Sequence, residues 1–297
     1  MKSSNQPVKP HDGTTAYLPS SKKTVRTIYR KLSRAWGPQH WWPAETAFEV
    51  IAGAILTQNT SWTNVERALA KLREAGVLSV QGIRELPLGE LERLIRSSGY
   101  FRQKAQRLKS FIAFLDMEFG GSLDTMFATP TQQLRLKLVG QKGIGPETAD
   151  SILLYAGHQS IFVVDTYTRR VLERHDAVAA DAKYDEIRAL VEDALQRERP
   201  WAAVERVALN TQRPQAHPPS VMSTASRVPL AQVYNEMHGL MVQLGKHYCH
   251  KQRPQCEVCP LGAMLSKPVR SRLLLKAQIP PLAINRRASK KPEKSRV

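Results

Sequence analysis

The sequence predicts an all-α protein. Between about residues 44 and 260, apolar side chains recur at spacings of three and four, as in Phe48, Ile51, Ala52, Ile55 and Leu56, or Phe111, Ile112, Leu115 and Phe119. Glycines and prolines break that pattern at intervals that suit separate helices. The one strand-like run, Ile161-Phe162-Val163-Val164, has no second strand to pair with, so it reads as a loop leading into a helix. With 297 residues, 42% of them hydrophobic, the chain can build a core without covalent staples.

Taken in order, residues 1–21 are polar, carry scattered Ser, Pro and Gly, and read as a disordered lead-in. A helix begins near Lys22, and a second carries Phe48 to Leu56. Further helices are expected at 61–75, 88–97, 102–118, 130–139, 146–157, 166–174, 183–198 and 230–246, punctuated by Gly76, Gly99, Gly120-Gly121 and Pro130. Residues 199–229 hold Pro200, Pro214, Pro218, Pro219 and Pro229 and read as an irregular insertion. Residues 266–297 read as a basic disordered tail, and no internal repeat is present.

The formal charge of +18 points to a polyanionic partner, but its distribution is uneven. Residues 1–34 carry eight Lys/Arg against Asp12, and residues 267–297 carry ten against Glu293, leaving a nearly neutral middle. The ends can add salt-sensitive attraction to phosphates, or simply aid solubility; specific recognition must come from the middle. Three cysteines cannot form a closed disulfide set, and there is no long apolar run or signal-peptide pattern. These features lead us to expect a soluble, cytoplasmic monomer without a membrane role.

The segment 138–157, LVGQKGIGPETADSILLYAG, places Gly143-Ile144-Gly145 directly before a helix opened by Pro146. Glycines let the backbone turn tightly and present N–H groups without an obstructing Cβ, and the following helix N-terminus favours an anion such as a DNA phosphate. Such a pair of glycines is more often an ordinary turn. Here Asp165, in VVDTYTRRVLER, follows Gly143 by 22 positions. An Asp ahead of Thr-Tyr-Thr-Arg makes a good helix N-cap. The same carboxylate could stabilise positive charge developing on a sugar and orient water, and one residue can serve both ends.

With these segments in view, the chain resembles the helix-hairpin-helix DNA glycosylases with a Gly/Pro-rich loop and Asp (HhH-GPD), and endonuclease III in particular. The likeness runs through FEVIAGAILTQNTSWTNVERAL (48–69), SSGYFRQKAQRL (97–108), the hairpin, the Asp motif and the cysteines at 249–259. Within that superfamily, WWP, LTQNTSW, GYFRQKAQRL and QKGIG look most like the endonuclease III-type 3-methyladenine glycosylases. The resemblance implies a two-lobed endonuclease III-like helical fold: residues 44–158 in a lobe ending in the hairpin, and residues 22–43 with 159–265 in the other. Double-stranded DNA with a damaged base would lie across the cleft, with Asp165 facing the sugar.

Bifunctional members of the family use a lysine two residues after the second hairpin glycine as a Schiff-base nucleophile, and here that position is Glu147. A carboxylate cannot form an imine, so the resemblance implies a monofunctional hydrolase of N-glycosyl bonds acting on an alkylated purine. Lys142 and Lys104 are the substitute amines on which a lyase acting on oxidised pyrimidines could draw. A third reading is a DNA-binding protein that kept the hairpin without catalysis.

A flipped base needs a pocket, and Trp41, Trp42 and Trp62 flank the LTQNT segment; an electron-deficient alkylated purine would gain from their faces, although core packing is an equal reading for any one of them. Gln58 and Asn59 lie where relatives insert a polar side chain into the gap left by the flipped base, Asn59 matching better, and C-capping is the plainer alternative. Lys142, Arg102, Lys104 and Arg107 are candidates for phosphate contact or for a solvated face. Cys249, Cys256 and Cys259 match the first three positions of the family's Cys-x6-Cys-x2-Cys-x5-Cys iron–sulfur loop, but the fourth is Leu265. His247 or His250 could complete a mixed site for a cluster or for zinc, or the loop is held by packing alone. Lys246, His247, Lys251 and Arg253 in that region are further candidates for phosphates.

Overall fold

A computed structural model describes residues 19–200 and 217–278. Among these residues there is no β-strand, and no helix is long and apolar enough to cross a membrane. Two helices organise the molecule because they are buried nearly all round by the others. Helix α2, Ala47–Leu56, buries every residue from Phe48 to Leu56 and starts at Thr46, whose Oγ1 accepts a hydrogen bond from Glu49 N at 3.1 Å. Helix α13, Pro229–His247, buries Val233 through Gly245.

Around α2 pack α3 (Trp62–Glu74), α6 (Phe101–Phe119) and α9 (Pro146–Ser151). Short helices α4 (Val80–Glu85) and α5 (Leu88–Leu94), with a 3-10 turn at Arg96–Ser98, support α3 and α6 from outside. Helix α7 (Leu123–Phe127) packs on α6, and α8 (Thr131–Val139) leads into the hairpin before α9. In the second lobe, α1 (Pro19–Trp36), α10 (Thr166–Arg174) and α11 (Tyr184–Leu195) surround α13. Helix α12 (Val221–Thr224) is anchored to the entry of α2, Met222 N donating to Ala44 O at 3.0 Å. Helix α14, Lys267–Gln278, follows the cysteine loop.

The two lobes meet where α9 continues as a π-helical turn, Ile152–Ala156, which touches both α2 and α13. Glycines on the two central helices make room there for a tryptophan pair. A Cβ on Gly53 would stand 3.2 Å from the Trp42 ring, and one on Gly239 would stand 3.0 Å from Cβ of Trp41. A buried ion network ties the hairpin to the second lobe. Asp150 on α9 is fully buried; its carboxylate accepts from Arg135 on α8 at 2.7 and 3.2 Å and from the Tyr184 hydroxyl on α11 at 2.9 Å.

Helices over 61–75, 102–118, 130–139, 166–174 and 230–246 match the sequence expectation within a residue or so, and Ile161–Val164 is a buried loop entering α10 as read. The expected disordered tail is corrected in part: Lys267–Gln278 is helical, with Val269 and Leu273 buried against Cys256. Its sparse apolar residues set no amphipathic stripe, so the helix depends on that tertiary contact. The expected lead-in is corrected at Pro19–Ser21, which belong to α1, while residues 1–18 lie outside the described residues. The irregular insertion is corrected at Val221–Thr224, where Ser220 Oγ caps a single helical turn, and residues 201–216 of it lie outside the described residues. The short helices α4 and α7 were not expected, because five or six residues are too few to show a helical period.

Removing one partner of a buried ion pair leaves an uncompensated charge. Asp150→Ala is therefore expected to lower the unfolding free energy by about 3–5 kcal/mol in urea denaturation. An unchanged midpoint would show that the network holds nothing together.

Candidate active site

Between the lobes lies a cleft of about 1170 Å³. The hairpin forms one wall. Gly143 sits at φ +88°, a conformation that side chains rarely adopt, and Gly145 precedes Pro146 as the N-cap of α9. Between them Ile144 is buried and anchors the loop, its N–H donating to Gln141 O at 3.0 Å. Gly145 and Lys142 are exposed on the cleft side.

Gln58 clamps this hairpin from the end of α2. Its Nε2 donates to Gly143 O at 3.0 Å and to Thr148 Oγ1 at 2.9 Å, while Arg107 Nη1 donates to its Oε1. This corrects the expectation of a DNA-contacting Gln58: every polar atom of its amide is committed within the protein. Asn59, exposed and at φ +55°, is the member of the pair left facing the cleft. Arg107 sits between α6 and the hairpin as a structural brace, a role that the recurrence of basic residues on one helix could not distinguish from a solvated face.

One other expectation is corrected, at Lys104. Lys104 is 1% exposed, and its ammonium donates to Leu56 O at 2.8 Å and Ser98 O at 2.6 Å. It ties the end of α2 to the 3-10 turn at Arg96–Ser98 and so reaches neither DNA nor a sugar; burial lowers its pKa to about 8. Arg102 is on the outer face of α6, near Glu92 and the Phe101 ring, and does not line the cleft.

Asp165 stands opposite the hairpin at the start of α10. Its Oδ1 caps the helix, accepting from Thr168 N at 2.7 Å, and its Oδ2 lies 3.7 Å from Nε2 of His238. Capping thus uses one oxygen and leaves the other for different work. Glu147, at the sugar-attacking position of bifunctional relatives, borders the same cleft. Solvent reaches it, but the surrounding protein walls deprive the carboxylate of hydration and Asp165 adds a like charge, so its pKa rises to about 7.

Trp41, Trp42 and Trp62 line the inner end of the cleft. Trp42 meets Trp62 edge-on, with centroids 5.0 Å apart and planes at 89°, and meets Trp41 at 5.4 Å and 61°. The three therefore form an aromatic wall rather than parallel plates. Lys246 on α13 lies in the same cleft with Nζ 5.6 Å from the Trp41 ring centre, and burial lowers its pKa. His238, which no sequence pattern singled out, is also in the cleft.

The cysteines lie apart from this site. Cys249, Cys256 and Cys259 border a small apolar space together with Leu265, Leu273 and His175. Arg174 Nη1 lies 3.1 Å from Cys249 Sγ, and Leu261 N donates to Cys259 Sγ at 3.4 Å. Leu265, at the fourth ligand position of the family's loop, packs with Val269 and Leu273 on Cys256. His247 and His250 do not border the space. Three thiols and a leucine do not fit a four-thiolate cluster.

An all-helical, two-lobed fold with a glycine hairpin and a capping carboxylate across an interlobe cleft fits a base-excision repair protein that works on DNA. The model of the HhH-GPD superfamily of base excision DNA repair proteins matches residues 52–197. A Methanocaldococcus jannaschii protein, assigned by inference as a DNA repair glycosylase, is 38% identical over 239 residues, covering 80% of this chain and 93% of that one. Endonuclease III of Thermotoga maritima is 24% identical, over 71% of this chain and 79% of the relative. Among solved structures, the fold is shared with a trapped endonuclease III–DNA covalent intermediate at a TM-score of 0.62 and 20% identity, covering 85% of this chain and 98% of that one. Helicobacter pylori 3-methyladenine DNA glycosylase (MagIII), bound to 1,N6-ethenoadenine, aligns at a TM-score of 0.58 and 28% identity, over 76% and 97% of the two chains. The chain belongs to the HhH-GPD superfamily, and it is an endonuclease III-like DNA glycosylase.

The raised Glu147 pKa has a definite sign. Below about pH 7 the group is mostly neutral, and above it a second negative charge joins Asp165 where DNA phosphates must approach. Affinity for duplex DNA is expected to weaken by about threefold from pH 6 to pH 8 at fixed salt, and Glu147→Gln to flatten that dependence. Equal slopes for the two proteins, by fluorescence anisotropy, would contradict the assignment.

Proposed function

We propose that this glycosylase is monofunctional and excises alkylated or otherwise modified purines from double-stranded DNA, working as a monomer. The observation that carries this reading is the pairing of Glu147 with Asp165 across the cleft: a carboxylate occupies the place of the Schiff-base amine, and the carboxylate needed for hydrolysis is intact. The aromatic wall beside them favours an electron-deficient purine, and the MagIII structure with a modified adenine supports the same substrate class.

On this reading the hairpin N–H groups of Gly143 and Gly145 and the start of α9 hold a backbone phosphate, Lys142 adds charge at the rim, and Asn59 enters the gap left by the base. The flipped base meets Trp41, Trp42 and Trp62. As the bond between C1′ and the base nitrogen breaks, its electron pair leaves with the base and positive charge grows on the sugar. Asp165 Oδ2 opposes that charge, water adds to C1′, and the carboxylate takes the released proton. An alkylated purine that carries a positive charge departs neutral and needs no strong acid. Lys246 in the cleft is the observation that favours a lyase instead, since burial lowers its pKa in reach of the aromatic wall.

Duplexes bearing single lesions separate these readings. Modified purine duplexes are expected to break only after alkali, and Asp165→Asn, which keeps the cap but loses the charge, to slow single-turnover excision at least about hundredfold with little change in melting temperature. Breaks without alkali, together with borohydride trapping, would assign the lyase reading and its amine.

For the cysteine loop we infer that packing of α14, not a four-thiolate cluster, closes it, because Leu265 stands at the fourth position and Leu273 and Val269 cover Cys256. Protein purified without oxygen is expected to hold well under a stoichiometric complement of iron and acid-labile sulfide, whereas four of each per chain would overturn this.

A further inference from the structure

His238 is a buried side chain that the mechanism above does not use. It sits on α13 at 4% exposure, walled by the rings of Trp41 and Phe162 with centroids 6.3 Å from its own. Its two ring nitrogens face different partners. Nδ1 is 2.5 Å from the hydroxyl of Tyr155, which the π-helical turn brings inward. Nε2 is buried, has no hydrogen-bond partner among the described residues, and lies 3.7 Å from Asp165 Oδ2.

The protonation pattern follows from what each partner can accept. Burial lowers the pKa of His238 against the smaller opposing pull of Asp165, so the ring is neutral and carries one proton. A carboxylate only accepts, so a bare Nε2 lone pair facing Oδ2 would be repelled, whereas Nε2–H is attracted. The Tyr155 hydroxyl is held protonated by full burial and can donate to Nδ1. Both contacts are satisfied by one tautomer: Tyr155 O–H to Nδ1, and Nε2–H toward Oδ2. The gap of 3.7 Å is too long for a full hydrogen bond, and a small turn of the Asp165 carboxylate about its side-chain bonds would close it while Oδ1 keeps the Thr168 cap.

The geometry points to His238 as a positioning residue for Asp165, with Tyr155 fixing its tautomer, so that Nε2–H holds the working carboxylate oxygen aimed at the sugar. This rests on the catalytic reading of Asp165. With the cap on one oxygen and the imidazole on the other, the carboxylate is fixed from both sides by groups on two elements, α10 and α13.

Two measurements test it. In DNA-free protein labelled with 15N, the imidazole shifts of His238 are expected to report a protonated Nε2 and a bare Nδ1, with the Nε2 signal moving in Asp165→Asn. In single-turnover assays, His238→Phe is expected to slow excision by about tenfold or more while DNA affinity stays within about twofold. His238→Gln, which can present an N–H near the same place, should recover much of the loss, and Tyr155→Phe should show a smaller loss. In the Asp165→Asn background, His238→Phe should cost nothing further. An Nδ1–H tautomer, full activity in His238→Phe, equal losses in the Phe and Gln variants, or losses that multiply with Asp165→Asn would each overturn the proposal. Failure of wild-type protein to excise any lesion would instead sink the catalytic reading of Asp165, while the tautomer measurement would still decide the contact.

Discussion

The cleft exists because two helices buried on nearly every side, α2 and α13, close on the same π-helical turn. Both helices are wrapped on nearly every side, and the turn Ile152–Ala156 is the wrapping they share. A π turn widens the helix locally and re-aims its side chains, which is why such turns often mark functional sites. Here it brings Tyr155 to His238 and to the Trp42 ring. Gly53 and Gly239 allow the Trp41–Trp42 pair to lie directly on the two central helices, so the aromatic wall is part of the core at its back and part of the cleft at its front.

On that frame the polar groups sort by how firmly they are held. Gln58, Arg107 and Lys104 spend their hydrogen bonds inside the protein, two of them bracing the hairpin and one joining the end of α2 to the turn at Ser98. A rigid hairpin matters because the N–H groups of a phosphate site must be in place before the anion arrives. Asp165 uses a single oxygen for structure. Glu147 and Lys246 border the same cleft, the first with its pKa raised by the protein walls and by Asp165, the second with its pKa lowered by burial. Such a space strengthens every interaction within it, including attraction to a cationic base or sugar.

The cysteine loop is packed against apolar side chains of the tail helix. Where relatives would be joined by a fourth cysteine, this chain has Leu265 and follows it with a helix whose Val269 and Leu273 cover Cys256. Apolar contact is less directional than metal ligation, yet it removes the same surface from water.

Much of this was legible in the sequence. Period-three-and-four spacing marked the long helices, Gly143 and Gly145 before Pro146 marked the hairpin, and Asp165 ahead of Thr-Tyr-Thr marked a cap, because each of these is a local property of a few neighbouring residues. The short helices α4, α7 and α12 and the tail helix α14 were not, since they are too short or too sparsely apolar to show a period and depend on what they pack against. Burial and partnership were likewise beyond reach. Lys104 and Arg102 stand two residues apart in one helix, yet one is sealed beneath α2 and the other lies in water. His238 gains its meaning only from Tyr155 and Asp165, more than seventy positions away along the chain. The sequence by itself determined the long helices, the family and the carboxylate; the tertiary structure alone decided which polar atoms are used up inside the protein and which are left to face the cleft, because that depends on contacts between segments that no local pattern encodes.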